Sequence, residues 1–177
     1  AHQGQWASLS YCAGLALART LDAYVEPKGS VTLKWPNDIL INKLKVSGLL
    51  LDMQLRANTP DWIVIGIGVN IITSPEGATY LQAHTSKQVK KNDFRDRFLF
   101  NFSNIYEAWL RHGFKQFYHQ WLSRAPDLQG RITARTPNGE VTGTVVRMDT
   151  SGALCLRDDK GVERKVTAGD ICNVFEV

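Results

Sequence analysis

A chain of 177 residues, 44% hydrophobic and 21% charged, can build one sizeable core with a small appendage. Its net charge of +4 is scattered along the chain, which argues against a nucleic-acid footprint and for mild attraction to a small anionic ligand. No apolar run reaches the roughly 18 residues of a membrane-crossing helix, so no membrane partner is expected.

The first predicted element is an amphipathic helix that places Trp6, Leu9, Ala13, Leu17 and Leu21 on one face. Residues 30–35 read as a strand, broken at Pro36-Asn37-Asp38 because proline cannot donate to a strand ladder. Residues 39–41 resume extended structure, Asn42-Lys43 turns the chain, and residues 46–55 form the next strand. Residues 62–72 are nearly all apolar, which predicts a central strand covered on both faces. A polar loop over 73–92 leads to a long helix capped by Asp93, with Phe94, Phe98, Phe102, Ile105 and Trp109 at helical spacing. Gly113 is its expected C-cap, and Phe114, Phe117, Tyr118 and Trp121 continue as a shorter helix. The aromatic stripe reads as core, since no basic sheet accompanies it.

Composition shifts at Ala125-Pro126-Asp127, which sets an expected boundary between units 1–126 and 127–177. Beyond it, turn signals at 137–139, 149–152, 158–161 and 168–170 separate five short strands, the pattern of a small SH3-like barrel. The cysteines Cys12, Cys155 and Cys172 lack metal-ligand spacing, so they read as buried or idle thiols in a reducing cytoplasm. None of His2, His84, His112 and His119 is expected to be catalytic.

The stretch KWPNDILINKLKVSG (34–48) concentrates lysines, an Asn-Asp pair and a strand glycine. Glycine inside a strand costs roughly 0.5–1 kcal/mol relative to alanine, so Gly48, and Gly66 and Gly68 in the next strand, need a reason. Two readings stand: a flat ligand laid against bare backbone with its charged end met by lysine, or β-bulges. Gly66-Ile67-Gly68 is not a dinucleotide fingerprint, because Ile71 occupies the place of the third glycine. A Walker A loop and a nucleophile elbow are also absent from the sequence.

KWPNDI (34–39), KVSGLLLDM (45–53) and IVIGIGVNI (63–71), in this order and spacing, resemble biotin protein ligase, from about residue 4 to the chain's end. The resemblance implies an α+β fold: a mixed sheet with helices packed on it, of the class II synthetase and biotin ligase kind, followed by the SH3-like barrel. It implies ATP, Mg²⁺ and biotin as ligands, and a biotin carboxyl carrier protein domain as the partner. Biotinyl-5′-AMP would form first, and its biotinyl group would then pass to a carrier lysine. Lys45 matches the catalytic lysine and would meet biotin and phosphate. Gly48, Gly66 and Gly68 match the biotin-contacting backbone. Asn37 and Asn70 match nucleotide-side positions, Asp38 an oxygen ligand for Mg²⁺, and Lys34 either a phosphate contact or a plain surface lysine.

The family's Gly-Arg-rich loop and the residues that grip biotin's ureido group do not occur in these residues, so 1–126 reads as a partial catalytic domain. Three alternatives therefore accompany the enzyme: a shortened non-catalytic carrier-binding protein, a nucleotide-binding one, and a relative of lipoate-protein ligase. DNA binding is not expected of this chain, and a homodimer is left open.

Overall fold

The computed structural model describes residues 5–173 except 28, 58 and 150, with backbone alone at 172 and 173. Helix α1 (Ser8–Leu21) buries every residue except Ser10 and Arg19, more than the single apolar face expected from the sequence. The reason is its position: α1 packs on one face against a sheet and on another against a second helix, and Tyr11 reaches the C-terminal unit. Ala13, Gly14, Ala16 and Ala18 allow that close approach on several sides.

Strands β1 (Val31–Lys34), β2 (Asp38–Ile41), β3 (Leu44–Arg56) and β4 (Thr59–Val69) form an antiparallel sheet in that order, joined by a parallel bridge between Lys45 and Ala78. The turn at Asn42-Lys43 is as expected, and both residues take positive φ (50° and 68°), the geometry of a tight hairpin. Strand β4 corrects the expectation of a doubly covered central strand, since it is an edge strand among the described residues. Ile63, Ile65, Ile67 and Val69 turn toward the core, whereas Val64 is 57% and Trp62 42% exposed. An apolar run alone therefore does not prove two covered faces.

Helix α2 (Lys91–His112) packs on α1 and buries Phe94, Ile105 and Trp109, and the Trp109 indole N–H donates to the Ser8 hydroxyl at 3.0 Å. It starts two residues before the predicted cap. Lys90 holds the cap position, and Asp93 lies in the first turn, where its charge faces the positive end of the helix dipole. Gly113 ends the helix at φ 70°. The shorter helix expected next is a 3₁₀ turn (Phe114–Phe117) followed by α3 (Tyr118–Leu122).

The second sheet contains β5 (Arg131–Thr136), β6 (Gly139–Met148), β7 (Leu154–Arg157), β8 (Glu163–Val166) and β9 (Asp170–Asn173), all antiparallel in the order β8-β7-β6-β5-β9. It is an SH3-like sheet whose edge strands β8 and β9 do not pair among the described residues. A joint at Gly152 ties it to the first unit. Its carbonyl accepts from both the Tyr11 hydroxyl and the Trp35 indole N–H, each at 2.9 Å. Burial of Tyr11 pushes its phenol well above the usual tyrosine range, so it stays a donor.

Candidate active site

Strands β1 to β4 and the β8–β9 connection enclose an open cavity of about 800 Å³. Lys34, Asn37, Asp38, Lys45, Gly48, Gly66 and Gly68 all line it. They meet because three consecutive hairpins lay residues 31–69 side by side, and the register places Asp38, Gly48 and Gly68 in one row across β2, β3 and β4. Leu50 and Gly66 form the next row.

Lys45 reaches this face through a break in the ladder. The register of β2 and β3 runs Ile39 with Ser47 and then Leu40 with Lys45, so β3 carries one extra residue there. With strict alternation Lys45 would share the buried face of Ser47 and Leu49; the bulge re-aims it onto the face of Gly48. Its ammonium lies 2.6 Å from Asp38 Oδ1. A Cβ at Gly48 would stand 3.2 Å from Lys45 Nζ and 3.3 Å from Asp38 Oδ1, tighter than ordinary contact. Both readings of the strand glycine thus have a physical basis at this corner: the bulge adjoins Gly48, and the bare backbone accommodates the Lys45–Asp38 pair. Gly66 and Gly68 are looser, since a Cβ there would make only ordinary contacts of 3.7 Å and 4.0 Å.

The other expected site residues are held by neighbours. The Asn37 amide donates to the Leu49 carbonyl at 2.6 Å while the Asn37 carbonyl accepts from the Leu49 N–H at 2.9 Å, which fastens the 35–37 turn over β3. Lys34 pairs with Asp170 at 2.8 Å and holds that carboxyl below the usual carboxylate range. Asn70 is the expected site residue that does not line the cavity, and its amide donates to the Thr79 carbonyl at 3.0 Å.

Sequence reasoning missed Trp35, Leu50, Gly169 and Asp170, which also line the cavity. The turn signal at 168–170 marked the last two as a loop, but nothing in one sequence tells that this loop reaches a site more than a hundred residues away. The residues offer a thin cation site. Asp38 and Asp170 are the carboxylates on the cavity, each already beside an ammonium, and no group of three or more metal-ligating side chains exists among the described residues. Such a donor set does not build a resident metal centre; it suits a cation that arrives with most of its oxygen ligands, as on a triphosphate.

The pattern of the Biotin/lipoate A/B protein ligase family matches residues 4–125, and that of the Biotin protein ligase C terminal domain matches residues 131–172. The chain belongs to this ligase family. A biotin--[acetyl-CoA-carboxylase] ligase of Paracoccus denitrificans is 35% identical over 164 residues, covering 88% of this chain and 68% of that one. A bifunctional ligase/repressor of Bacillus subtilis is 31% identical over 89% of this chain, which spans only 51% of the relative's length. Among solved structures, the apo biotin protein ligase of Aquifex aeolicus superposes with a TM-score of 0.78 at 24% identity, covering 95% of this chain and 75% of that one, and shares the fold. Among the described residues no helix is long and apolar enough to cross a membrane.

Proposed function

We propose that this chain carries the lysine-bearing floor and the C-terminal unit of an ATP-dependent biotin–protein ligase that acts on a biotin carboxyl carrier protein domain. We further divide it into a partial catalytic unit, 1–126, and an SH3-like unit, 127–177. Joining a carboxylate to a lysine amine needs an activated acyl group, which a ligase makes by transferring AMP from ATP to the carboxylate. A biotin carboxylate oxygen attacks the α-phosphorus, and the bond to the bridging oxygen breaks as pyrophosphate leaves. The carrier amine then attacks the acyl carbon, loses a proton, and AMP departs. Mg²⁺ enters as part of the ATP substrate, with Asp38 supplying an oxygen directly or through water.

The obstacle in the first step is the approach of two anions. Lys45 is the observation that carries the reading: a bulge turns its ammonium over bare backbone beside a single carboxylate. There it can exchange Asp38 for the converging carboxylate and phosphate, the kind of placed charge that lowers such a barrier most. Gly48, Gly66 and Gly68 form the biotin-side floor, while Lys34, Asn37 and Asn70 serve the nucleotide side. The buried thiols Cys12 and Cys155 suit a reducing cytoplasm. The test is biotin-dependent exchange of labelled pyrophosphate into ATP by the full-length protein, with mass detection of biotinyl-5′-AMP. Exchange that appears with lipoate and never with biotin, or no exchange at all, overturns the proposal.

A further inference from the structure

The segment after β4 is a polar loop by sequence, and the chemistry above uses nothing beyond Asn70 in it. Its first half is nevertheless bonded along the backbone that carries Lys45. The Asn70 N–H donates to the Val46 carbonyl and the Thr79 N–H to the Lys45 carbonyl, both at 2.9 Å, and Ala78 forms the parallel bridge to Lys45. Two side chains and one backbone bond close the loop on itself. The Asn70 amide donates to the Thr79 carbonyl at 3.0 Å, the Ser74 hydroxyl donates to the Ala78 carbonyl at 3.1 Å, and the Leu81 N–H donates to the Asn70 carbonyl at 2.8 Å. At the centre Thr79 is 7% exposed, and its hydroxyl lies 2.7 Å from His84 Nε2.

These bonds fall at the bulge that decides which face Lys45 occupies. A strand with a bulge has a competing register in which the extra residue is absorbed, and a shift of one position sends the side chain to the opposite face. For Lys45 the competing face is the buried one of Ser47 and Leu49. A bulged backbone holds its place only if its own carbonyls and N–H groups are satisfied. The 70–84 segment satisfies both carbonyls at this point, those of Lys45 and Val46.

We propose that Thr79, fixed by His84, is a positioning residue that holds the bulged Lys45 backbone and so keeps the lysine ammonium on the cavity face. The inference rests on the assignment of Lys45 as the reacting-centre cation, and acts through that residue without touching a substrate. Thr79→Val keeps the shape and the backbone N–H but deletes the hydroxyl that His84 holds, whereas Thr79→Ser keeps it.

Two measurements on the full-length protein decide it. Without ligand, the expected result for Thr79→Val is faster amide hydrogen exchange at Thr79 and a shifted Lys45 side-chain NMR signal, with Thr79→Ser close to the parent on both. With biotin and ATP, Thr79→Val lowers the kcat of adenylate formation roughly tenfold to a hundredfold, as misplacement of a catalytic group does, with the biotin KM within about twofold. Thr79→Ser restores kcat. An unchanged lysine signal and exchange rate in Thr79→Val overturn the proposal, as does an equal loss in Thr79→Ser. If the parent protein forms no adenylate, the Lys45 assignment falls, while exchange and NMR still decide the positioning. Should Thr79→Val not fold, His84→Ala leaves Thr79 in place and is read by the same two measurements.

Discussion

The corner at residues 45–48 and the turn at 149–153 are built from the same parts, a glycine beside a lysine–aspartate pair, and they have opposite characters. In the turn, Asp149 pairs with Lys165 at 2.7 Å and also accepts from the Ser151 N–H at 2.8 Å, the Ser151 hydroxyl at 2.5 Å and the Ala153 N–H at 3.1 Å. Its carboxylate is saturated. Gly152 at φ 87° sits so close to Tyr11 that a Cβ would lie 1.8 Å from Tyr11 Cε2. In the corner, Asp38 has Lys45 as its one side-chain partner among the described residues, and the Lys45 side chain is half exposed. Residue types therefore do not separate a joint from a site; the bonding capacity left over does. Saturated groups hold two units together, while unsaturated ones can take up a ligand.

The comparison breaks first at its lysine. Lys45→Ala in the full-length protein is expected to lower adenylate formation by roughly 10²–10³-fold, the loss that follows removal of one placed transition-state donor. Its urea midpoint should stay near the parent's, because the Lys45 side chain is half exposed and an ion pair open to water at one end contributes little. Adenylate formed at the parent rate would remove Lys45 from the chemistry. The mirror experiment is Gly152→Ala, where activity should fall only because the fold does. Steric overlap with Tyr11 and the left-handed backbone together should cost about 3 kcal/mol or more, read as a lower urea midpoint at unchanged slope. A variant as stable as the parent would show that the joint can open without loss.

The gathering of the site was legible because it is local. Lys34, Asn37, Asp38, Lys45, Gly48, Gly66 and Gly68 lie on consecutive hairpins, and turn residues such as Asn42-Lys43 bring neighbouring strands together without distant information. The face that Lys45 occupies was not legible, since one extra residue in β3 reverses it and alternation alone puts it on the wrong side. The edge position of β4 was hidden for a related reason: IVIGIGVNI has the same composition whether one face is covered or two. The motif residue Trp35 looked like a strand end, and its bond to Gly152 spans 117 positions. Cys172 and His2 were read from sequence, and their side chains lie outside the described residues.

Gly48 sharpens the contrast with Gly152. Its backbone is not left-handed, and the atoms a side chain would meet are the movable ends of Lys45 and Asp38. Gly48→Val should therefore leave the unfolding free energy within about 1 kcal/mol of the parent, yet raise the biotin KM roughly tenfold by filling the ligand's path and displacing the ion pair. Equal biotin saturation in the variant and the parent would mean that the floor at Gly48 is not a ligand surface.

The smallest expected effect tests the saturated side. Desolvation pushes the Asp149 carboxyl up, but Lys165, the Ser151 hydroxyl and the N–H groups of Ser151 and Ala153 outweigh it and bring it down to about 2 from an ordinary 3.8. A carboxyl depressed on folding binds protons more readily when unfolded, so its stabilisation is complete above about pH 4 and is lost as pH falls toward 2. Asp149→Asn removes that titration and weakens the turn under Gly152. The stability gap between parent and variant should be about 1 kcal/mol at pH 7, once screening of a quarter-exposed side chain is allowed for, and should narrow between about pH 4 and 2. Taking the difference between the two proteins cancels the other acids of this unit, Asp158, Asp159 and Glu163, whose carboxyls are also lowered. A gap that stays constant across that range would mean that Asp149 anchors the turn by shape alone, and its lysine adds nothing to the joint.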